Sequence, residues 1–251
     1  MKNVKAKKHL GQHFLNDENI AYKITNLINK DTKNVVEIGP GMGILTRFLI
    51  EKNNVFQVIE IDKESVDYLR IKYPQLDMIE GDFLKLDIKK VYPFNFSLIG
   101  NFPYNISSQI LFKVLDNRNQ ISEIVGMFQK EVAERIVCKK GKKRGVLSVL
   151  LQAFYDIEYC FTVHENVFTP PPKVKSGVIK LLRNQRRELS VDEQKFRKIV
   201  KTTFNQRRKT ARNALKPFEL INKKEIADLL NLRAEQLSVG DFIKITNHVR
   251  E

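Results

Sequence analysis

The sequence predicts an α/β protein, an open and largely parallel sheet followed by a small all-α domain. Three observations carry this. Short apolar runs recur between residues 35 and 128, most of them followed by a stretch with helical spacing. The first run ends in Gly39-Pro40-Gly41-Met42-Gly43, a glycine-rich turn that opens a helix. After about Leu182 the strand pattern stops and the chain turns basic and helical.

The chain has 251 residues, 42% hydrophobic, enough for one large domain or a large one with a small one. Its formal charge of +15 points to a polyanionic partner, nucleic acid or an acidic membrane surface. No apolar run approaches the roughly 18 residues of a membrane span, and no secretory signal is expected from the basic start. Two cysteines, Cys138 and Cys160, make neither a metal box nor a disulfide framework, which suggests a reducing, cytoplasmic setting and no metal.

A basic arm runs to Gly11-Gln12-His13-Phe14-Leu15, and Ile20, Ile24, Leu27 and Ile28 then mark a helix capped by Asn16 or Asp17. His13 suits packing or a binding contact better than catalysis. Val35 to Ile38 reads as a buried strand running into the glycine turn. The G-x-G-x-G spacing is neither a dinucleotide fingerprint nor a phosphate-binding P-loop. The next strand, Phe56 to Glu60, ends in an acid 17 residues past Gly43, placed to take both hydroxyls of a ribose. A third strand, Asp77 to Glu80, is followed by Asp82 and Phe83, an acceptor for an adenine amino group and a ring to pack beside it. With no Lys or Arg in the glycine turn, this set suits a nucleoside cofactor without phosphates; surface acids beginning each helix are the alternative.

The strand Ser97 to Gly100 leads into Asn101-Phe102-Pro103-Tyr104-Asn105-Ile106-Ser107. Such a turn at a strand's carboxyl end lies where open α/β sheets hold ligands. The Asn101 side-chain carbonyl and nearby backbone carbonyls can accept from an exocyclic amine, Tyr104 offers an aromatic face, and Pro103 stiffens the turn. The plain alternative is a helix cap with Tyr104 as core filler. A strand from Ile121 to Phe128 and a helix to Val137 follow. Lys139-Lys140-Gly141-Lys142-Lys143-Arg144-Gly145 fits a phosphate contact or a solvated loop equally well. A helix from Val146 to Phe154 precedes strands at Tyr159 to Val163 and Ser176 to Leu182, expected as an antiparallel pair. Between them, Phe168-Thr169-Pro170-Pro171-Pro172-Lys173-Val174 is a stiff loop. Phe168 is either core or the second face of a ring sandwich with Tyr104.

Residues 181–251 carry net +8, against +7 for the first 180. Gln194 to Phe218 holds nine Lys and Arg and no acid, including Phe204-Asn205-Gln206-Arg207-Arg208-Lys209-Thr210, which favours nucleic acid over a merely solvated face. Ile226, Leu229 and Leu230 mark a further helix, and Ser238 with Asp241 forms a capping box for the last one. The division expected is residues 1–183 and 184–251.

Taken in order, the motifs at Gly11, Glu37-Ile38-Gly39-Pro40-Gly41, Asn101, Phe168 and Phe204 resemble the small-subunit (16S) rRNA adenine dimethyltransferases, the KsgA group, over nearly the whole chain. The last motif separates that group from the macrolide-resistance methyltransferases of large-subunit rRNA. The resemblance implies a Rossmann-like domain that uses S-adenosyl-L-methionine, leaves S-adenosyl-L-homocysteine, and needs no metal. It also implies dimethylation of two adjacent adenosines near the 3′ end of small-subunit rRNA in a pre-30S ribosomal particle, by a cytoplasmic monomer. Carried over by motif position, His13, Leu15, Gly39, Glu60, Asp82 and Asn101 would bind the cofactor, and the reading of the glycine turn and of the third strand end adds Gly41 and Phe83. Asn101, Pro103, Tyr104 and Phe168 would hold the target adenine, and Lys173, Arg207, Arg208, Lys209 and Arg212 the RNA. The family often has Asn where this chain has His13 and Leu where it has Phe102. Two other readings are a non-catalytic RNA-binding or transcription-assisting relative, and an adenine methyltransferase of large-subunit rRNA or DNA.

Overall fold

A computed structural model describes residues 4–52 and 55–250. In chain order the first elements are β1 (Phe14–Leu15), α1 (Glu18–Thr25), β2 (Asn34–Ile38), α2 (Thr46–Leu49), β3 (Val55–Glu60), α3 (Lys63–Lys72) and β4 (Asp77–Glu80). Then come α4 (Ile88–Val91), β5 (Phe96–Asn101), α5 (Ser107–Asp116), β6 (Ile121–Gln129), α6 (Lys130–Val137), α7 (Val146–Gln152), β7 (Tyr155–Val163), β8 (Phe168–Thr169) and β9 (Ser176–Arg183). The helices α8 (Glu193–Asn205), α9 (Ala211–Ala214), α10 (Ala227–Asn231) and α11 (Val239–Asn247) complete the chain. None of the described helices is long and apolar enough to cross a membrane.

Seven strands form one sheet in the order β4-β3-β2-β5-β6-β9-β7. The first five are parallel, and β9 runs antiparallel to β6. The chain winds outward from β2 through β3 to β4, then returns to place β5 on the other side of β2. That reversal opens a crevice at the carboxyl ends of β2 and β5, the switch point where doubly wound sheets bind ligands. Val35, Val36, Ile38, Val58, Leu98 and Ile99 are buried because both faces of these strands are covered. The small pair β1 and β8 is antiparallel, matching Phe14 with Thr169 and Leu15 with Phe168. This Rossmann-like architecture is the one the alternation of strand and helix predicts.

The chain divides into two compact units, residues 1–133 with 157–183, and 134–156 with 184–251. The second unit therefore takes in 134–156, which composition alone assigned to the first domain. In it, α8 buries Phe196, Ile199, Val200 and Phe204, and the Phe204 and Phe242 rings lie 6.1 Å apart. Asp192 caps α8 through the Lys195 N–H at 2.6 Å, and Ser238 and Asp241 form the expected box on α11. β7 begins at Tyr155, four residues before the expected start, because the helix before it ends at Gln152.

One buried acid ties the base of the sheet together. The Glu123 carboxylate, on β6, accepts from the Asn29 N–H at 3.1 Å, the Ser97 hydroxyl at 2.9 Å, the Thr32 hydroxyl at 3.3 Å and Lys180 Nζ at 2.9 Å. Lys180 also donates to the Leu27 carbonyl at 2.6 Å. Lys180→Met leaves a buried carboxylate with only neutral donors. Its unfolding free energy in urea is expected to fall by about 2–3 kcal/mol, and Lys180→Arg to recover part of that loss.

Candidate active site

The crevice is a cavity of about 210 Å³. Its floor is the end of β2 and β3, its sides are the turns after β4 and β5, and the arm from His9 to Phe14 lines it as well. Glu60 is the organising residue. It is 3% exposed, yet its carboxylate accepts three backbone N–H bonds, from Gly41 at 3.0 Å and from Ile61 and Asp62 at 2.9 Å. Burial raises its carboxyl above the ordinary value, and these amides oppose the rise. The bond to Gly41 draws the glycine turn down over the strand end. Gly41 has φ +58°, and a Cβ there would sit 2.8 Å from the Phe14 ring, so the turn and the arm close on each other only with glycine. A smaller recess of about 30 Å³ continues the crevice past Gly39 to Leu15 and Glu37.

Asp82 and Phe83 stand at the end of β4. The Asp82 carboxylate caps a short turn through the Leu84 N–H at 2.9 Å and keeps its other oxygen for the cavity it lines. Phe83 is buried beside it, with Lys113 Nζ 5.5 Å from its ring centre. Lys113 also donates to the carbonyls of Leu84, at 2.8 Å, and Leu86, so it holds this turn in place. Burial lowers the Lys113 ammonium, while Asp82 and Asp87 act to raise it.

Across the crevice, the Asn101 side chain is fixed by the His13 carbonyl, to which its Nδ2 donates at 2.8 Å. Asn101 lines the cavity, and that bond leaves its Oδ1 over as an acceptor. The Pro103 carbonyl receives the Ile106 N–H at 3.2 Å, which leaves it one further lone pair. Tyr104 is held through its hydroxyl, 2.5 Å from that of Ser176. Burial raises the Tyr104 phenol, and the Ser176 bond opposes the rise.

The ring facing Tyr104 is that of His13, stacked at 5.5 Å with 28° between planes. His13 Nδ1 lies 2.7 Å from the Pro170 carbonyl and must donate to it, so imidazole and proline loop are locked together. Phe168, the ring expected there, does not reach the cavity. It is 3% exposed and belongs to the core with Leu15, because in β8 the alternation sends Phe168 inward and Thr169 outward. Leu15 likewise packs in the core and touches only the smaller recess.

The basic residues divide in a way that composition did not show. Lys173, Arg208 and Lys209 are exposed, and no side-chain partner is found for them among the described residues. Arg212 reaches Asn231 Oδ1 at 3.4 Å. Arg207, expected as a phosphate contact, is bonded through Nε to Glu235 and through Nη2 to the carbonyls of Lys142 and Arg144.

Sequence reasoning missed Lys113 and Ser176, which act through other residues, and it missed how the arm is fastened. Asp62 accepts from Lys7 Nζ, from Gln12 Nε2 at 3.2 Å and from the Ser65 hydroxyl at 2.9 Å. Burial acts to raise Asp62, but these donors outweigh it and hold the carboxyl below its ordinary value. The acid two residues past Glu60 was the available signal. Among the described residues no group of His, Cys, Asp and Glu is placed to hold a metal ion.

A family model described as ribosomal RNA adenine dimethylase matches residues 3–251. The chain belongs to this family. It is 59% identical over 253 residues to a protein of Cytophaga hutchinsonii named ribosomal RNA small subunit methyltransferase A, covering 98% of each chain. A protein of the same name from Flavobacterium johnsoniae is 56% identical, over 99% of this chain and 97% of that one. Among solved structures, a dimethyladenosine transferase from Plasmodium falciparum superposes with TM-score 0.79 at 25% identity, covering 94% of this chain and 99% of the other. The 23S rRNA methyltransferase ErmE, at 22% identity and TM-score 0.75 over 95% of this chain and all of that one, shares the fold.

In this ribosomal RNA adenine dimethylase, Glu37 lies behind the glycine turn, 1% exposed, and accepts from the Thr46 hydroxyl at 2.7 Å. Burial pushes its carboxyl up to about 8, with Glu60 adding to the rise and Thr46 opposing it. Between the ordinary carboxylate value of about 4.5 and about 8, the folded chain keeps a proton that the unfolded chain has lost. Glu37 therefore favours folding most fully below that window, and its contribution is lost as pH rises through it. Wild-type stability relative to Glu37→Gln should decline between pH 5 and 8.5, read from urea midpoints at each pH.

Proposed function

We propose that this chain transfers methyl groups from S-adenosyl-L-methionine to the N6 amines of two adjacent adenosines in the 3′-terminal hairpin of small-subunit rRNA, within a maturing 30S particle. The observation that carries the reading is the place of Asn101. Its Nδ2 is engaged by the His13 carbonyl, and it lines the crevice together with Tyr104, with Oδ1 left over as an acceptor.

The donor set fits the cofactor. Glu60 keeps one acceptor direction, on Oε2, for a ribose hydroxyl, Asp82 keeps an oxygen for an adenine amine, Phe83 lies beside it, and the Gly39–Gly41 backbone lets a ligand approach closely. When bound, S-adenosyl-L-methionine supplies an electrophilic methyl group. The target N6 amine is a poor nucleophile because its lone pair is delocalised into the ring. Asn101 Oδ1 and the Pro103 carbonyl accept its two hydrogens and so point the lone pair out of the amide-like plane, an orientation effect. Tyr104 holds the flipped base by stacking, and the Ser176 bond keeps the phenol ring from turning away. The proton leaves after alkylation, when the amine has become acidic, so no strong general base is needed. The basic second unit, with Arg208, Lys209 and Arg212, grips the RNA, and Lys173 on the proline loop adds a contact. The protein acts as a monomer in the cytoplasm.

The experiment is transfer of labelled methyl to undermethylated 30S particles, with 50S particles and DNA in parallel. Dimethyladenosine only in the 30S arm is the expected result. Binding without transfer would favour a non-catalytic relative, and labelling of 50S or DNA would move the substrate. Tyr104→Ala should lower kcat/KM by about 5- to 150-fold, the worth of one stacked base. Asn101→Ala should cost about 10- to 150-fold, mainly in kcat, since it removes a bond whose value lies in aiming the amine. Unchanged turnover in either variant refutes its assigned role.

A further inference from the structure

The loop 139–144 and the segment 205–209 are far apart in sequence but bonded to each other in the second unit. Arg207 Nε donates to Glu235 Oε2 at 2.9 Å, and its Nη2 donates to the Lys142 carbonyl and, at 3.0 Å, to the Arg144 carbonyl. The Gly141 N–H donates to the Glu235 carbonyl at 2.9 Å. Arg144, 1% exposed, donates through Nη1 to the Leu237 carbonyl. Every one of these bonds is local to the unit. Together they fasten the loop between the end of α8 and the turn at 234–236. Lys139, Lys140 and Lys142 are left exposed, with no side-chain partner among the described residues.

We propose that Arg207 and Glu235 form a clamp that presents Lys139, Lys140 and Lys142, together with Arg208 and Lys209, as one cationic surface for the phosphate backbone of the substrate RNA. Arg207 is a positioning residue in this surface. The inference rests on the RNA-substrate reading given above.

The fork of an arginine binds phosphate when its donors are free. Here the Nε–Nη2 edge of the fork serves a carboxylate and two carbonyls, so a two-pronged phosphate grip through that edge would break all three. Glu235 also cancels the Arg207 charge. Lysine ammonium groups need no such geometry. They are compact charges on flexible stems, and a loop of them requires only that its backbone be held. Unclamped, these neighbouring cations would repel one another and the glycine-containing loop would splay. The loop 139–144 carries no apolar side chain to enter a lipid surface, which favours a phosphodiester chain over a membrane.

The test is the salt dependence of binding to undermethylated 30S particles, each phosphate contact contributing about 0.7–0.9 to the log–log slope. Lys140→Ala and Arg208→Ala should each lower the slope by about one such increment. Arg207→Ala should lower it by about two or more, because the loop cations are lost with it, and Arg207→Lys should restore little. Glu235→Gln removes a negative charge and should nonetheless weaken binding, with no added loss when combined with Arg207→Ala. Exchange of the Gly141 amide should quicken in both clamp variants while far-ultraviolet circular dichroism and the main unfolding transition are kept. A single-increment loss for Arg207→Ala, with tighter binding for Glu235→Gln, overturns the clamp. So does loss of the fold in Arg207→Ala if Glu235→Gln and Arg207→Lys bind as wild type. Salt-insensitive binding by the wild type would instead defeat the RNA reading itself.

Discussion

The crevice depends on one buried carboxylate. Glu60 ends a strand whose next amides would otherwise be unpaired, and it takes those of Ile61 and Asp62 together with that of Gly41. A neutral side chain of the same length could not accept all three so well, since a carboxylate offers about four lone-pair directions to donors. The desolvation cost is offset by three amides rather than by a counter-charge, so the site gains a fixed acceptor without drawing in a cation. Two residues on, Asp62 uses the opposite arrangement, a lysine and an amide from the arm. Glu60 sets the glycine turn and Asp62 sets the arm, and between them a stretch of three residues fixes two walls of the cavity.

The second unit uses charge differently. Its acid-free stretch reads as a uniform basic face, but its arginines have separate uses. Arg144 is buried and bonded to a carbonyl, Arg207 is joined to Glu235, and Arg208 projects. Arginine's rigid fork makes it as useful for crosslinking loops as for gripping phosphate, and neighbouring positions divide the two tasks.

Much of this was legible in the sequence. The succession of strands and helices follows from the alternating apolar runs, while the order of the strands in the sheet needed the structure. Glu60, Asp82 and Asn101 stood out because each is a polar residue at or just past the end of a strand, and the structure brings all three to one cavity. What was not legible depends on distance along the chain. Phe168 could not be assigned to core or crevice, since its side follows from the pairing of β8 with β1, whose two residues give no periodicity to read. Ser176 gives no signal until Tyr104 is beside it. The start of β7 was misplaced because Phe154 and Tyr155 suit either a helix or a strand, and the alternation Tyr155, Ile157, Tyr159 decides only once the sheet is there. Arg207 looked like its neighbours because Glu235, its partner, lies 28 positions away.

The pairing of β1 with β8 also has a consequence during synthesis. Residues 14 and 15 form their ladder with residues 168 and 169, and the Asn16 amide reaches the Thr169 hydroxyl across 153 positions. The ribosome adds roughly 5–20 residues each second, so the amino-terminal wall of the cavity waits many seconds for its partner strand. The parallel core from β2 to β6 can assemble meanwhile, but the nascent chain cannot close its ligand site until the proline loop has cleared the exit tunnel. An enzyme built in this way completes its cavity late in synthesis, after its parallel core.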